Sequence, residues 1–407
     1  RVRSSAASDV YKRQFLHRPD WFEYGKLRLS WGKNGNRAVG TYAAFMQLAP
    51  RKYIYVDPAT GSLVTANTFY ASTMANPNLK WESTTSWNIG TDLTFLKGRL
   101  SANLDVYKKI TPDLLVSREL PSLIGYSSVM SNIGEVQNTG VELSLNSTNI
   151  RMDKLTWRTS FSLAYNKNKI THLYGIMEDV KDADGNVIGQ READDIKNKR
   201  FIGHDIDEIW DYKVVGIWQE EEREEAAKYG QQPGDVHLLD KDMNYKYDNT
   251  DKEFQGTTMP RLRWSMRNDF TLFKNFNISF NMYSYIGHKK TLGRFTNDNA
   301  LLNVTNQIKR DYWTPENRNN EYPRLANKKP AGVSYAIYKN ASFLRFDNIS
   351  IGYTFPKKLI EPLRIQNLNV NATMKNAGYI SGWPGYDPEN SDANTPRVIY
   401  FGINLTL

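Results

Sequence analysis

Strict period-two alternation, held over runs far longer than an ordinary strand, is the feature that most limits what this chain can become. From Trp81 to Phe95 the odd positions include Trp81, Trp87, Ile89, Leu93 and Phe95, and the even positions Glu82, Thr84, Ser86, Asn88 and Asp92. Leu100, Ala102, Leu104 and Val106 alternate with Ser101, Asn103 and Asp105, and Trp157, Phe161, Leu163 and Tyr165 with Arg158, Ser160 and Ser162. The same pattern runs through Leu262, Trp264, Met266, Phe270 and Leu272, through Leu368, Val370, Ala372 and Met374, and through Ile399, Phe401, Ile403, Leu405 and Leu407. Successive strand residues point to opposite faces, so each run has one apolar and one polar face. Ten such runs lie near 24–33, 81–95, 99–112, 134–149, 155–172, 259–272, 276–287, 341–355, 367–376 and 397–407. Ordinary strands have about 5–6 residues, whereas a tilted strand crossing a bilayer needs about 9–11.

The connections sort into two classes that alternate along the chain. Residues 96–98, 150–154, 273–275 and 356–366 are short links; 34–80, 113–133, 173–258, 288–340 and 377–396 are long ones. Tight turns at one end and long loops at the other predict an all-β, antiparallel up-and-down transmembrane barrel, with the long loops outside the cell. A soluble sandwich has short strands with turns every ~8–12 residues and does not give this spacing. The apolar runs are all far shorter than the ~18 residues of a membrane helix.

Composition narrows the function. The chain has no cysteine, which removes disulfide frameworks, thiolate metal sites and cysteine nucleophiles. Residues 1–14 (RVRSSAASDVYKRQ) have neither periodicity nor a signal-peptide pattern and are read as a non-native artefact, leaving 15–407 as the folded part. Arg1, Arg3, Lys12 and Arg13 against Asp9 account for three of the nine net positive charges, so the rest carries +6. That is too mild and too dispersed for a nucleic-acid binder.

Nine motifs, in order along the chain, carry a resemblance. They are Lys26–Asn36 (KLRLSWGKNGN), Asn76–Glu82 (NPNLKWE), Trp87–Phe95 (WNIGTDLTF), Asn132–Glu142 (NIGEVQNTGVE), Gly216–Gln219 (GIWQ), Gln232–Val236 (QPGDV), Asp311–Asn317 (DYWTPEN), Ser342–Tyr353 (SFLRFDNISIGY) and Gly385–Glu389 (GYDPE). With them the chain from about residue 15 resembles the C-terminal half of a SusC/RagA-family TonB-dependent outer-membrane transporter of the Bacteroidetes type. The resemblance implies a barrel of about 22 strands, of which this chain supplies about ten. It further implies an N-terminal plug and TonB box that this sequence does not contain, a SusD-like surface lipoprotein as a lid, and TonB-driven import of oligosaccharides or peptides. Location in the bacterial outer membrane follows.

Individual motifs are read beside that frame. Asp240, Asp242, Asn244, Asp248 and Asp251 in DKDMNYKYDNTD fall at the spacing of a calcium loop, although Tyr245 stands where such a loop has glycine. A calcium ion is therefore the one cofactor weighed, against a plain polar turn. Glu220–Glu225 (EEEREE) predicts a short exposed helix, a solvated face or a contact for the lid. Trp383 and Tyr386, within Tyr379–Asn390, are candidates for stacking on sugar rings, against a role as interfacial anchors. Arg158, Arg261, Arg263 and Arg267 lie on polar faces that should line the lumen.

Catalysis has no foothold in the sequence. The five histidines, His17, His172, His204, His237 and His288, are scattered, and neither a HExxH nor a GxSxG spacing occurs. The expected function is transport by a barrel fragment. The rival readings are a surface binding or adhesion barrel without active transport and an outer-membrane enzyme.

Overall fold

Ten strands, one for every predicted run, lie side by side in chain order in a computed structural model. They are β1 (Phe22–Asn36), β2 (Glu82–Phe95), β3 (Leu100–Thr111), β4 (Glu135–Arg151), β5 (Leu155–His172), β6 (Leu262–Leu272), β7 (Phe276–Ile286), β8 (Phe343–Thr354), β9 (Asn367–Ser381) and β10 (Val398–Thr406). The structure describes residues 7–9, 19–36, 44–119, 123, 126, 128–291, 311–325, 327–390 and 393–407. Every strand is antiparallel to its neighbours, as an up-and-down meander requires. Residues Ala7–Asp9 add a short strand against Arg28–Lys26, and the remainder of 1–14 lies outside the described residues. The sheet is open, with Ala7–Asp9 at one edge and β10 at the other.

Register turns the sequence alternation into two continuous surfaces. Leu29 pairs with Ile89, Ile89 with Val106, Val106 with Val141 and Val141 with Tyr165, so one apolar row crosses five strands. Further on, Trp157 faces Phe270, Phe270 faces Ile278, and Ile278 faces Ile351, which leads to Ala372 and Phe401. These side chains are uncovered: Ile89 is 56% and Phe401 81% exposed. A water-soluble sheet buries such a row. Here the buried clusters lie in the long connections and their strand ends instead.

Aromatic pairs mark the borders of the apolar band. At the short-turn end Trp21 stacks on Phe95 (5.9 Å) and Phe276 packs on Tyr353 (4.6 Å). At the long-loop end Trp31 meets Trp87 at 6.0 Å. From Phe22 to Trp31, a rise of about 3.3 Å per residue at a tilt of about 40° spans roughly 23 Å. That matches the ~25 Å apolar band of an outer-membrane barrel.

Four irregularities displace the rows, two of them near strand ends at Glu23 and Thr171. A bulge at Asp347 interrupts both ladders of β8, and the outward row passes from Ile351 and Ile349 to Phe346 and Leu344. Asn149 is the extra residue of a second bulge, between the Thr148–Arg158 and Ile150–Trp157 pairs. At the hairpin ends, Leu96, Lys97, Phe273 and Lys274 adopt positive φ, the backbone twist that tight hairpins need.

The sided sheet predicts sided sensitivity. Leu104→Arg, midway up the apolar face, should cost about 2–4 kcal/mol in bilayer refolding titrations. Asn103→Ala, one residue along on the polar face, should cost clearly less, because the hydrogen bond it loses to Asp92 is exposed to water.

Candidate functional site

The long connections after β5, β7 and β9 fold together into a cap with its own core. Tyr212, Ile217, Val236, Leu238, Trp313, Tyr335, Ile337, Ala341 and Trp383 form one buried cluster. Several buried polar groups inside the cap are paired, as burial demands, although Trp383 Nε1 finds no partner. Asp235, fully buried, accepts from Arg324 Nε at 2.7 Å and from the Lys328 N–H at 2.8 Å. The Val236 N–H donates to Asn327 Oδ1, and Trp218 Nε1 to Gln231 Oε1. Gly234 explains the glycine of the QPGDV motif: its φ is +87°, and a Cβ there would press into the Trp313 ring. The acidic run forms a 3₁₀ turn, Glu220–Glu222, leading into a helix, Arg223–Lys228.

The predicted calcium loop is partly assembled. One carboxylate oxygen each from Asp240, Asp242 and Asp251 lies within 4.8 Å of the others. Tyr245 takes φ 63°, the left-handed turn for which the spacing calls at that position. Asn244 donates to Asp242 at 2.9 Å. Asp248 is engaged elsewhere, capping the turn Asn249–Asp251 through Thr250. Partial desolvation, the hydrogen bond shared with Asp240 and repulsion from Asp240 and Asp251 push the Asp242 carboxyl up. Against its own desolvation, donors from Tyr229, Tyr245 and Met243 hold Asp240 below the usual carboxylate range. Three carboxylates in this space favour a cation or a shared proton.

The aromatic candidates are buried to different degrees. Trp383 belongs to the cap core at 7% exposure, so its ring has no open face for a ligand in this conformation. Tyr386 is half-buried, and its backbone oxygen accepts from the Tyr379 hydroxyl. Next to them lies a latch that the sequence reading did not single out. Arg345 of β8, 2% exposed, pairs with Asp387 at 2.6 Å, and Glu389 accepts from the Tyr283 hydroxyl at 2.6 Å. Asp387 and Glu389 belong to the GYDPE motif and Arg345 to SFLRFDNISIGY. The two motifs are thus halves of one contact that fastens the last long loop to the inner wall.

Arg158, Arg263 and Arg267 lie on the polar face of the sheet, opposite the apolar rows. Arg267 pairs with Asp269 at 2.8 Å. Arg261 precedes β6 and reaches Asp205 of the cap at 3.5 Å. Further round the wall, Arg28 bridges Asp92 and Asp105, lying over Gly90 where any Cβ would collide with it.

His288, just beyond β7, is 3% exposed and its Nδ1 finds no hydrogen-bond partner. Burial, with Lys290 and Arg263 adding repulsion, lowers its pKa from 6.5 to about 4. A depressed histidine contributes stability that is complete above about pH 6.5 and declines as pH falls toward 4, because the unfolded form takes the proton first. Amide protection factors in 287–291 and 338–342 should therefore drop between pH 7 and pH 5, and His288→Asn should flatten that dependence. Protection that is constant over this range in the unmodified protein would contradict the assignment.

Comparisons with known proteins agree with this architecture. Residues 10–377 match a family model described as TonB dependent receptor-like, beta-barrel. The chain is 30% identical over 406 residues to TonB-dependent receptor SusC of Bacteroides thetaiotaomicron, covering 94% of this chain and 37% of that protein. It is 28% identical over 398 residues to TonB-dependent receptor P3 of Formosa agariphila, covering 95% of this chain and 38% of the relative. The solved RagAB peptide transporter superposes with a TM-score of 0.73 at 22% identity, over 98% of this chain and 43% of that one, which shows a shared fold. The chain thus spans well under half the length of these relatives.

Proposed function

The chain belongs to the TonB-dependent receptor-like β-barrel family of outer-membrane proteins, and on that premise we propose that it supplies the C-terminal wall and extracellular cap of a TonB-dependent importer. The observation that carries this reading is the two-faced sheet. A predominantly apolar surface of bilayer height faces out and a charged, hydrogen-bonded surface faces in, beneath a folded cap at the long-loop end. A lipid-facing exterior around a hydrated interior is what a conduit requires. An adhesion barrel has no need of an inner wall with ordered charges such as Arg28, Asp92 and Asp105.

The nutrient in this reading is an oligosaccharide or a peptide, drawn in with energy from TonB, and a SusD-like lipoprotein covers the mouth. The cap offers that lid a fixed surface, because the Arg345–Asp387 latch and the Asp235–Arg324 pair hold its loops in place. Uptake of radiolabelled oligosaccharide and peptide mixtures by cells carrying the complete transporter should fall to background when TonB is deleted, and strongly when the lipoprotein is deleted. Uptake indifferent to TonB would refute active import.

The acidic loop is proposed to hold calcium, with Asp240, Asp242 and Asp251 as carboxylate ligands, Asn244 beside them and Asp248 supporting the turn. Its oxygen donors suit a hard cation. Millimolar calcium should raise the transporter's melting temperature and slow proteolysis after Lys241 and Lys246. Asp251→Asn should abolish both effects, and magnesium should not replace calcium. Identical melting with calcium and with chelator would count against the site.

A further inference from the structure

Some charged groups on the inner wall have no carboxylate partner, and one of these, Arg263, borders a recess. Arg28, Arg267 and Arg345 are neutralised by carboxylates within the sheet or its latch. Among the described residues Arg263 has neither an ion pair nor a hydrogen bond; its guanidinium lies over the Tyr285 ring, 5.3 Å from the centroid. Arg158 also lacks an ion pair, but it lies toward the short-turn end and lines no part of the recess in question. Arg263 borders a cavity of about 550 Å³ in the wall below the cap, with Tyr283, Tyr285, Asn281, Glu142 and Asp347. That volume lies inside the ~300–1,000 Å³ range of ligand sites.

We propose that this recess is a ligand subsite on the lumen wall that grips a carboxylate-bearing oligomer through Arg263. The inference rests on the importer reading and names the chemistry of the cargo. A guanidinium that stacks on an aromatic ring is already oriented, so it loses little freedom when it takes a carboxylate through two parallel hydrogen bonds. Tyr285 is itself braced: its ring meets Tyr283 at 5.6 Å and Phe343 at 5.2 Å, and the Tyr283 hydroxyl is tied to Glu389. Among the other lining groups, Glu142, Asp347 and Asn281 accept hydrogen bonds from hydroxyl or ammonium donors, and Ser144, Ser162 and Ser265 add hydroxyls. Glu142 and Asp347 repel a second carboxylate, which orients the ligand with its anionic group at Arg263 and its donors toward β4 and β8. An acidic oligosaccharide and an acidic peptide share this chemistry.

The test uses the complete transporter with its lid in detergent, titrated separately with short oligogalacturonides, a pool of short acidic peptides and neutral malto-oligosaccharides. At least one carboxylate pool should bind. Arg263→Gln should weaken that pool by about tenfold or more while leaving neutral probes unchanged. Arg263→Lys should restore part of the loss, and Tyr285→Leu should weaken the same pool several-fold. The pool that binds identifies the source of the carboxylate. The proposal is overturned if neither carboxylate pool binds, if Arg263→Gln has no effect, or if it weakens neutral and acidic probes alike, which would mark Arg263 as holding the wall or a domain in the lumen. TonB-dependent uptake that ignores Arg263 sinks this inference and spares the importer reading; uptake that ignores TonB sinks that reading.

Discussion

An apolar surface on the strands leaves the backbone beneath it without water, so each N–H and C=O in the band has to find its partner on a neighbouring strand. Everything else in this structure follows from meeting that demand. It accounts for strands such as β5, which runs from Leu155 to His172, and for a meander in which each strand pairs with its chain neighbours. It also explains why Asn268, the polar residue of the β6 outer row, is covered and bonded. Its Oδ1 accepts from Trp157 Nε1 and from Thr159 Oγ1, and Thr159 accepts in turn from Asn149. Polar groups facing lipid are tolerated where they satisfy one another.

The same demand separates the places where chemistry can occur. The outer face is committed to lipid and the short turns to geometry, which leaves the inner wall and the cap. The inner wall carries fixed charges in ordered pairs. The cap, outside the bilayer, can afford a soluble core with buried ions such as Asp235 and Arg324. Between the two sits the latch of Arg345, Asp387 and Glu389, which joins loop to wall and borders the Arg263 recess through Tyr283. Replacing one partner of a buried pair leaves the other charge uncompensated, so the latch is expected to hold the loop in one position.

The strands could be read from the sequence because lipid on one face imposes a period of two at every step. All ten were visible in that way, from Leu27, Leu29 and Trp31 of β1 to Ile399, Phe401 and Ile403 of β10. The bulges at Asp347 and Asn149 could not be read, since an extra residue is defined by its partner strand. The hairpin Gln47–Val56 with Leu63–Thr73 was also missed. Its YIYV stretch, after Arg51 and Lys52, is apolar on both faces and gives no clean alternation. Loop composition says little about burial, and Trp383 reads as an exposed platform although it packs against the cap core. Arg345 and Asp387 lie 42 residues apart in two separate motifs, and only the fold brings them together. For the acidic loop, spacing located Asp240, Asp242 and Asp251 correctly as neighbours, while the turn drew Asp248 into a capping role.

The most direct test of the central claim, a wall with one face in lipid and one in water, is a spin-label scan of β5 in liposomes. The chain has no native cysteine, so single cysteines can be placed at each position from 158 to 165 without background. Oxygen accessibility should peak at 161, 163 and 165, and accessibility to a water-soluble nickel complex at 160, 162 and 164. A profile without period-two alternation, or with the two reagents exchanged, would contradict the account.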